Sequence, residues 1–244
     1  MSLNVVTRRH RTRMWPQAIA AVLVLAGIAC WVVSRSTPSP SHPSAAGRDS
    51  AASPYTRPEL EAALLTARDT GRDFRIAHPV HRIGDVRTST GCVQLDSVEQ
   101  SLRTPSQLDA YRNFAVSSAL PAVQEQIDSE AAADVGFDFA TAVAALGTCH
   151  HLHFEIAPGK HLNLSMRATG VRIKGVEVVG RILDGSVGLL DLHGFLGVAR
   201  PTASSLLIFR YLIPRGSSDS LAHAVAVFDH AVRKARHDLS GVVK

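Results

Sequence analysis

The chain has 244 residues, of which 45% are hydrophobic and 5% aromatic, enough apolar mass for one substantial core. It carries 26 basic and 21 acidic residues, a formal charge of +5. Arg8, Arg9, Arg11, Arg13 and Arg35 account for that excess, leaving 21 basic residues to balance the 21 acidic ones. The body of the chain is therefore neutral. Nucleic acid is excluded as a partner, because displacing counterions from phosphate needs a surplus of Lys and Arg.

Residues 18–33 read AIAAVLVLAGIACWVV, without a charge. With Trp15 in front and Trp31 near the far end, the segment 15–33 approaches the ~20 apolar residues that cross hydrocarbon. Both indoles then sit at interface depth. The cluster RRHRTR precedes the run, and Lys and Arg resist translocation. Residues 1–14 are expected to form a cytoplasmic arm, 15–33 a transmembrane anchor, and the remainder an extracytoplasmic part. A cleaved signal peptide is one alternative, although no A-x-A site follows the run. A lipid on Cys30 is another, although Gly27-Ile28-Ala29 before it and Trp31 after it fit poorly.

Residues 34–55 are rich in Pro, Ser and Ala and cannot repay the entropy of ordering, so they read as an extended spacer. Structure resumes at Thr56-Arg57-Pro58-Glu59, which has the capping-box spacing with Pro in the first turn. Leu60, Ala63, Leu64 and Ala67 share the face of the helix that follows. The folded domain is expected over 56–241.

Leu108, Tyr111, Ala115 and Ala119 predict a helix over 107–119, ended or kinked by Pro121. Val123 and Ile127 predict a second, and Phe139, Val143 and Leu146 a third that ends at Gly147. The period then changes. Leu152, Phe154 and Ile156 alternate with polar residues, as do Leu162, Leu164 and Met166, with Pro158-Gly159 between them as the turn. That is a hairpin with one wet face. Val171 to Val178 reads as a further strand with a bulge at Gly175, Val187 to Leu192 as another, and Leu206 to Ile213 as a central one. Leu221, Val225, Phe228, Val232, Ala235 and Leu239 predict a closing helix, with Asp219 at its start and Arg233, Lys234, Arg236 and His237 near its end. The sum is an α+β domain: an antiparallel sheet with helices packed on one face.

Cys92 and Cys149 are the cysteines outside the anchor. In an oxidising compartment such a pair forms a disulfide by default, whose loop closure contributes about 4 kcal/mol. Two separate buried thiols are the alternative. His151, His153 and Glu155 share one face of their strand, and His161 lies on the next. Two His and a carboxylate can hold zinc, but the polar positions of a half-exposed strand need no such reason, and no metal is assigned. No cofactor motif is present: G-x-S-x-G, G-x-G-x-x-G and the phosphate loop are all missing. Arg210, inside an apolar strand, either pairs with a core carboxylate or points into a ligand cleft.

LLTARDTGRDF near the domain start, Cys92 in GCVQLD, ALGTC at Cys149 and the closing LLIFRYLIPRG with FDHAVRKARHDL carry a resemblance. With the anchor and Pro/Ser linker before them, they resemble the extracellular sensor domain of PknH-type mycobacterial serine/threonine kinases and related stand-alone membrane proteins and lipoproteins. The resemblance implies a helix-and-sheet domain with a ligand-sized cleft for a small molecule or cell-envelope component, and no catalytic residues. That family's domain commonly has two disulfides, where one is available here, and no kinase precedes the anchor. The expected function is therefore a membrane-anchored, non-catalytic binding or sensor-like domain, taking a small-molecule or lipid ligand and working with a membrane-protein partner. An assembly protein of the envelope and an envelope hydrolase are the alternatives.

Overall fold

A computed structural model describes residues 54–71, 73–77, 92–93, 108–116, 122–157, 160–217 and 219–241. The expected arm, anchor and most of the linker, with Cys30, lie outside these residues, as do Pro121 and the Pro158-Gly159 turn. Among the described residues, no helix is long and apolar enough to cross a membrane.

The domain opens on helix α1 (Arg57–Ala63), capped as its sequence predicts: the Glu59 carboxylate accepts from Thr56 N at 2.7 Å. Leu64 turns extended and ends it. A second box, Thr66 with Asp69, then starts the single turn α2 (Ala67–Thr70). After β1 (Arg75–Ile76) come two long strands, β2 (Leu108–Ala115) and β3 (Ala122–Ser129). These replace the two helices expected there. Helix α3 (Ala132–Thr148) follows, one residue longer than its predicted end. Strands β4 (His151–Ala157), β5 (Lys160–Ala168), β6 (Glu177–Val187), β7 (Leu190–Thr202) and β8 (Ser205–Pro214) form a meander, and α4 (Leu221–Ser240) closes the domain. Ser220 caps α4, its Oγ accepting from His223 N at 3.1 Å; Asp219 precedes the cap.

All pairings are antiparallel, in the order β1-β2-β3-β8-β7-β6-β5-β4. The β2–β3 hairpin thus docks on the far side of β8. Two shorter expectations change. Residues 171–176 form a tight turn, with Ile173 bridged to Val176 and Gly175 at φ 73°, rather than a bulged strand. Residues 187–192 hold the β6–β7 turn, with Gly188 at φ 57° and Leu189 fully exposed at the tip. In both places the left-handed residue is glycine, which adopts it without a Cβ clash.

Helices pack on both faces of the sheet, not on one. Strands β7 and β8 are apolar on both sides. Phe195, Ala199, Leu207, Phe209 and Ile213 point to one face, and Val198, Leu206 and Ile208 to the other. Each side needs its own cover. On the first, α4 and α1 pack over an inner core that includes Leu60, Phe114, Ile127, Phe228 and Val232. On the second, α3 lays Val135, Phe139, Ala142 and Leu146 against Leu152, Leu164, Met166 and Leu183.

The centre of the α4 side is bald. Gly180 and Gly197 are direct partners across β6 and β7. Phe195, Phe209 and Phe228 fill the hollow, with ring centroids 5.1–6.4 Å apart. A Cβ on Gly197 would stand 2.6 Å from the Phe228 ring and 2.8 Å from Phe195. Overpacking of this kind costs about 1–3 kcal/mol. The Gly197→Ala variant is therefore expected to unfold at lower urea, with an unchanged m-value. A midpoint equal to wild type would show that α4 is not seated on this glycine.

Candidate functional site

On the α3 side the sheet changes character across β8. Under α3 it is apolar. On β2 and β3 the same face carries Asp109, Tyr111 and Asn113, then Gln124, Gln126 and Asp128, and β8 adds Arg210. The ladder aligns them in rows: Asp109 with Asp128, Tyr111 with Gln126, and Asn113 with Gln124 and Arg210. Asp109, Asp128, Gln126 and Asn113 are only 2, 1, 3 and 7% exposed. Burying a polar side chain costs free energy unless it is hydrogen-bonded, and the structure supplies bonds. Gln126 Nε2 donates to Asp128 Oδ1 at 2.8 Å, and the Arg57 guanidinium reaches Asp109 at 3.6 Å.

Arg210, singled out by sequence, sits at the inner edge of this polar half-face. Its Nε donates to Gln124 Oε1 at 2.7 Å, and a terminal guanidinium nitrogen donates to the same oxygen. Of the two roles foreseen for it, pairing with a core carboxylate or lining a cleft, its place in the polar field favours neither outright. The structure binds it to an amide. The polar residues on β2 and β3 were missed because their spacing mimics a helix. A polar or tyrosine side chain at every second position from 109 to 113, and an acid or amide at every second one from 124 to 128, was the available signal.

Cys92 and Cys149 are bonded, with Cα atoms 5.9 Å apart. Cys149 directly follows α3, so the bridge fixes the end of that helix where β4 begins. The histidines lie elsewhere. His151, His153 and Glu155 occupy β4, the edge strand, and His151 and His153 lie on the α4 side of the sheet. His151 and His153 are exposed. His153 stacks on His161, not on His151. Among the described residues no group of three or more His, Cys, Asp or Glu side chains is placed to hold a metal ion.

A further buried acid, on the other face, was not legible in the sequence. Glu125 lies on the α4 side, fully buried, between Arg112 and Phe209 in the ladder. Its Oε2 accepts from Leu65 N at 2.7 Å; among the described residues Oε1 has no hydrogen-bond partner. Around it, basic groups clasp the carbonyls at the end of α1. Arg112 donates to Leu65 O at 2.5 Å and to Glu61 O at 3.3 Å, and Lys234 to Ala62 O at 2.5 Å. Burial pushes the Glu125 carboxyl up from 4.5 to about 8, opposed by the Leu65 N–H, Arg112 and Lys234 and reinforced by Asp69.

No protein-family model matches the chain, and no curated protein is significantly similar to it.

Glu125 makes stability depend on pH with a definite sign. Below about 4.5 both the folded and unfolded chains hold the proton, and ionisation costs nothing. Between about 4.5 and about 8 the unfolded chain releases it while the folded one keeps it, so stability falls as pH rises. Each unit of separation amounts to roughly 1.4 kcal/mol. Glu125→Gln keeps the acceptor for Leu65 N and cannot ionise. Urea titrations across this interval should show the variant losing less stability than wild type as pH rises. Parallel profiles would mean that Glu125 is ionised in the fold.

Proposed function

We propose that this protein is a membrane-anchored, extracytoplasmic, non-catalytic binding or sensor-like domain, and that the polar half-face around Arg210 reads its ligand, a small molecule or cell-envelope component. The observation that carries the reading is the ladder of buried Asp109, Asp128, Gln126 and Asn113 with half-buried Gln124 and Arg210, on a sheet face whose other half is ordinary apolar core. A core built only for stability gains little from such a field, since each polar group must first be desolvated. A field of donors and acceptors on rigid strands suits recognition of a polar group. An amide-held guanidinium is suited to an anionic or carbonyl-bearing one.

The compartment and anchor rest on the charge-free run at 18–33 behind its basic cluster, and on the sequence resemblance to PknH-type sensor domains. The Cys92–Cys149 bridge supports an oxidising location, because disulfides persist there and are rare in reducing cytosol. A partner in the membrane would carry any signal onward.

The test is native mass spectrometry of the full chain, extracted from its own host in mild detergent. Wild type should retain a co-purifying small molecule or lipid. Arg210→Ala should lose it, and Arg210→Lys, which keeps the charge without the fork, should retain part of it while both variants keep the wild-type circular dichroism. A ligand-free wild type, or a ligand held equally by folded Arg210→Ala, would sink this reading.

A further inference from the structure

The α4 side of the sheet has its own half-face beyond the helices, formed by β4, β5, β6 and the start of β7. The ladder rows there read His151, Ser165, Asp184 and His193, then His153, Asn163, Ser186 and Asp191. Asp184 is already engaged by Arg167 at 2.9 Å and by Arg215 at 3.4 Å. It therefore belongs to a surface ion network rather than to an open acidic site.

The outer corner is different. His153 on β4 and His161 on β5 are diagonal neighbours, with ring centroids 4.7 Å apart and planes inclined by 22°. Both side chains are exposed. Nδ1 of His153 is hydrogen-bonded to Oδ1 of Asn163, its direct ladder partner. An amide oxygen can only accept, so Nδ1 carries the hydrogen. In the neutral ring Nε2 is then left with a free lone pair. Metal-bound histidines are prepared in this way: the second ring nitrogen donates to a fixed oxygen, which sets tautomer and orientation. Asn163 does this for a ring that has a second imidazole beside it. With the His153 ring held by Asn163, aiming both lone pairs at one ion needs a turn of the His161 ring about χ2, which an exposed side chain can make.

We propose that His153 and His161 form an open binding site for a borderline divalent transition-metal ion, with zinc as the representative, and that Asn163 is its positioning residue. Imidazole nitrogen is a preferred donor for this class of cation, and hard magnesium or calcium is not expected there. Two protein ligands leave further coordination positions for water or an outside ligand, and the site stands at the β4 edge of the sheet. The pairing is across strands. His151 is placed opposite Ser165, one pleat further along, and takes no part.

Isothermal titration of the untagged full chain in detergent micelles with zinc chloride tests this. Wild type should bind one ion saturably. His153→Ala and His161→Ala should each weaken binding by about tenfold or more, as should Asn163→Ala, since loss of such a supporting hydrogen bond costs ~10–100-fold. His151→Ala should bind as wild type does, which separates this pair from the other histidines among the 12 in the chain. Circular dichroism of every variant should match wild type. A wild-type titration without saturation, or undiminished binding by folded His153→Ala or His161→Ala, would overturn the proposal.

Discussion

The seat of Phe228 on Gly197 organises the α4 side of this domain. Two strands give up their side chains at the same ladder position, Gly180 and Gly197, and three phenylalanine rings take the space. That contact sets how closely α4 approaches the sheet. Once α4 is down, its other side chains come within reach of the N-terminal segment. Lys234 meets Ala62 O, His223 meets Thr70 O at 3.2 Å and His230 meets Asp69 at 3.1 Å. The short helices α1 and α2 are too small to be stable alone. They persist because their backbone groups are finished by α4, by Arg112 and by Glu125. Sheet packing thus comes first and local helix structure follows from it.

The two helical layers also explain where polar chemistry is left. Each covers part of one face of an eight-stranded sheet, and they are offset. Helix α3 packs over β6, β7 and β8, leaving the polar field of β2 and β3 beside it. Helix α4 sits on β7 and β8, leaving β4 to β6 with their histidines. The two polar regions therefore lie on opposite faces and toward opposite ends of the strand order. One is buried and held by amides and carboxylates; the other is open. Their chemistry differs accordingly.

Much of this was legible where one residue decides one local event. Thr56 and Glu59 announce a cap, Leu152 to Met166 alternate strictly, and the closing helix repeats apolar residues through 20 positions. Strands β2 and β3 were not legible. Periodicity arguments assume that polar means exposed, yet Asp109, Asn113, Gln126 and Asp128 are buried. Leu108, Tyr111 and Ala115 then look like the stripe of a helix. The single-sided sheet failed for a related reason: β8 reads as continuously apolar, which is the mark of a strand covered on both faces, not one. The His153–His161 pair was legible in part: the two alternations about Pro158-Gly159 put His161 on the strand beside His153, while the stacking of those two rings, and not of His151, depends on side-chain rotamers that composition does not fix.

The clasp on α1 has a mechanical meaning. Tyr55, just ahead of that helix, is already buried, its hydroxyl donating to Thr202 at 3.0 Å. Within ten further residues the chain is gripped by Leu60, Leu64, Leu65, Arg112, Lys234 and Glu125. These bonds tie one short stretch, Tyr55 to Leu65, to the β7 terminus, to the β2–β3 hairpin and to α4 at once, so a load on that stretch is shared by three elements. Its first helix is thus a handle fixed to sheet and closing helix together, and cannot be lifted from one without straining the other.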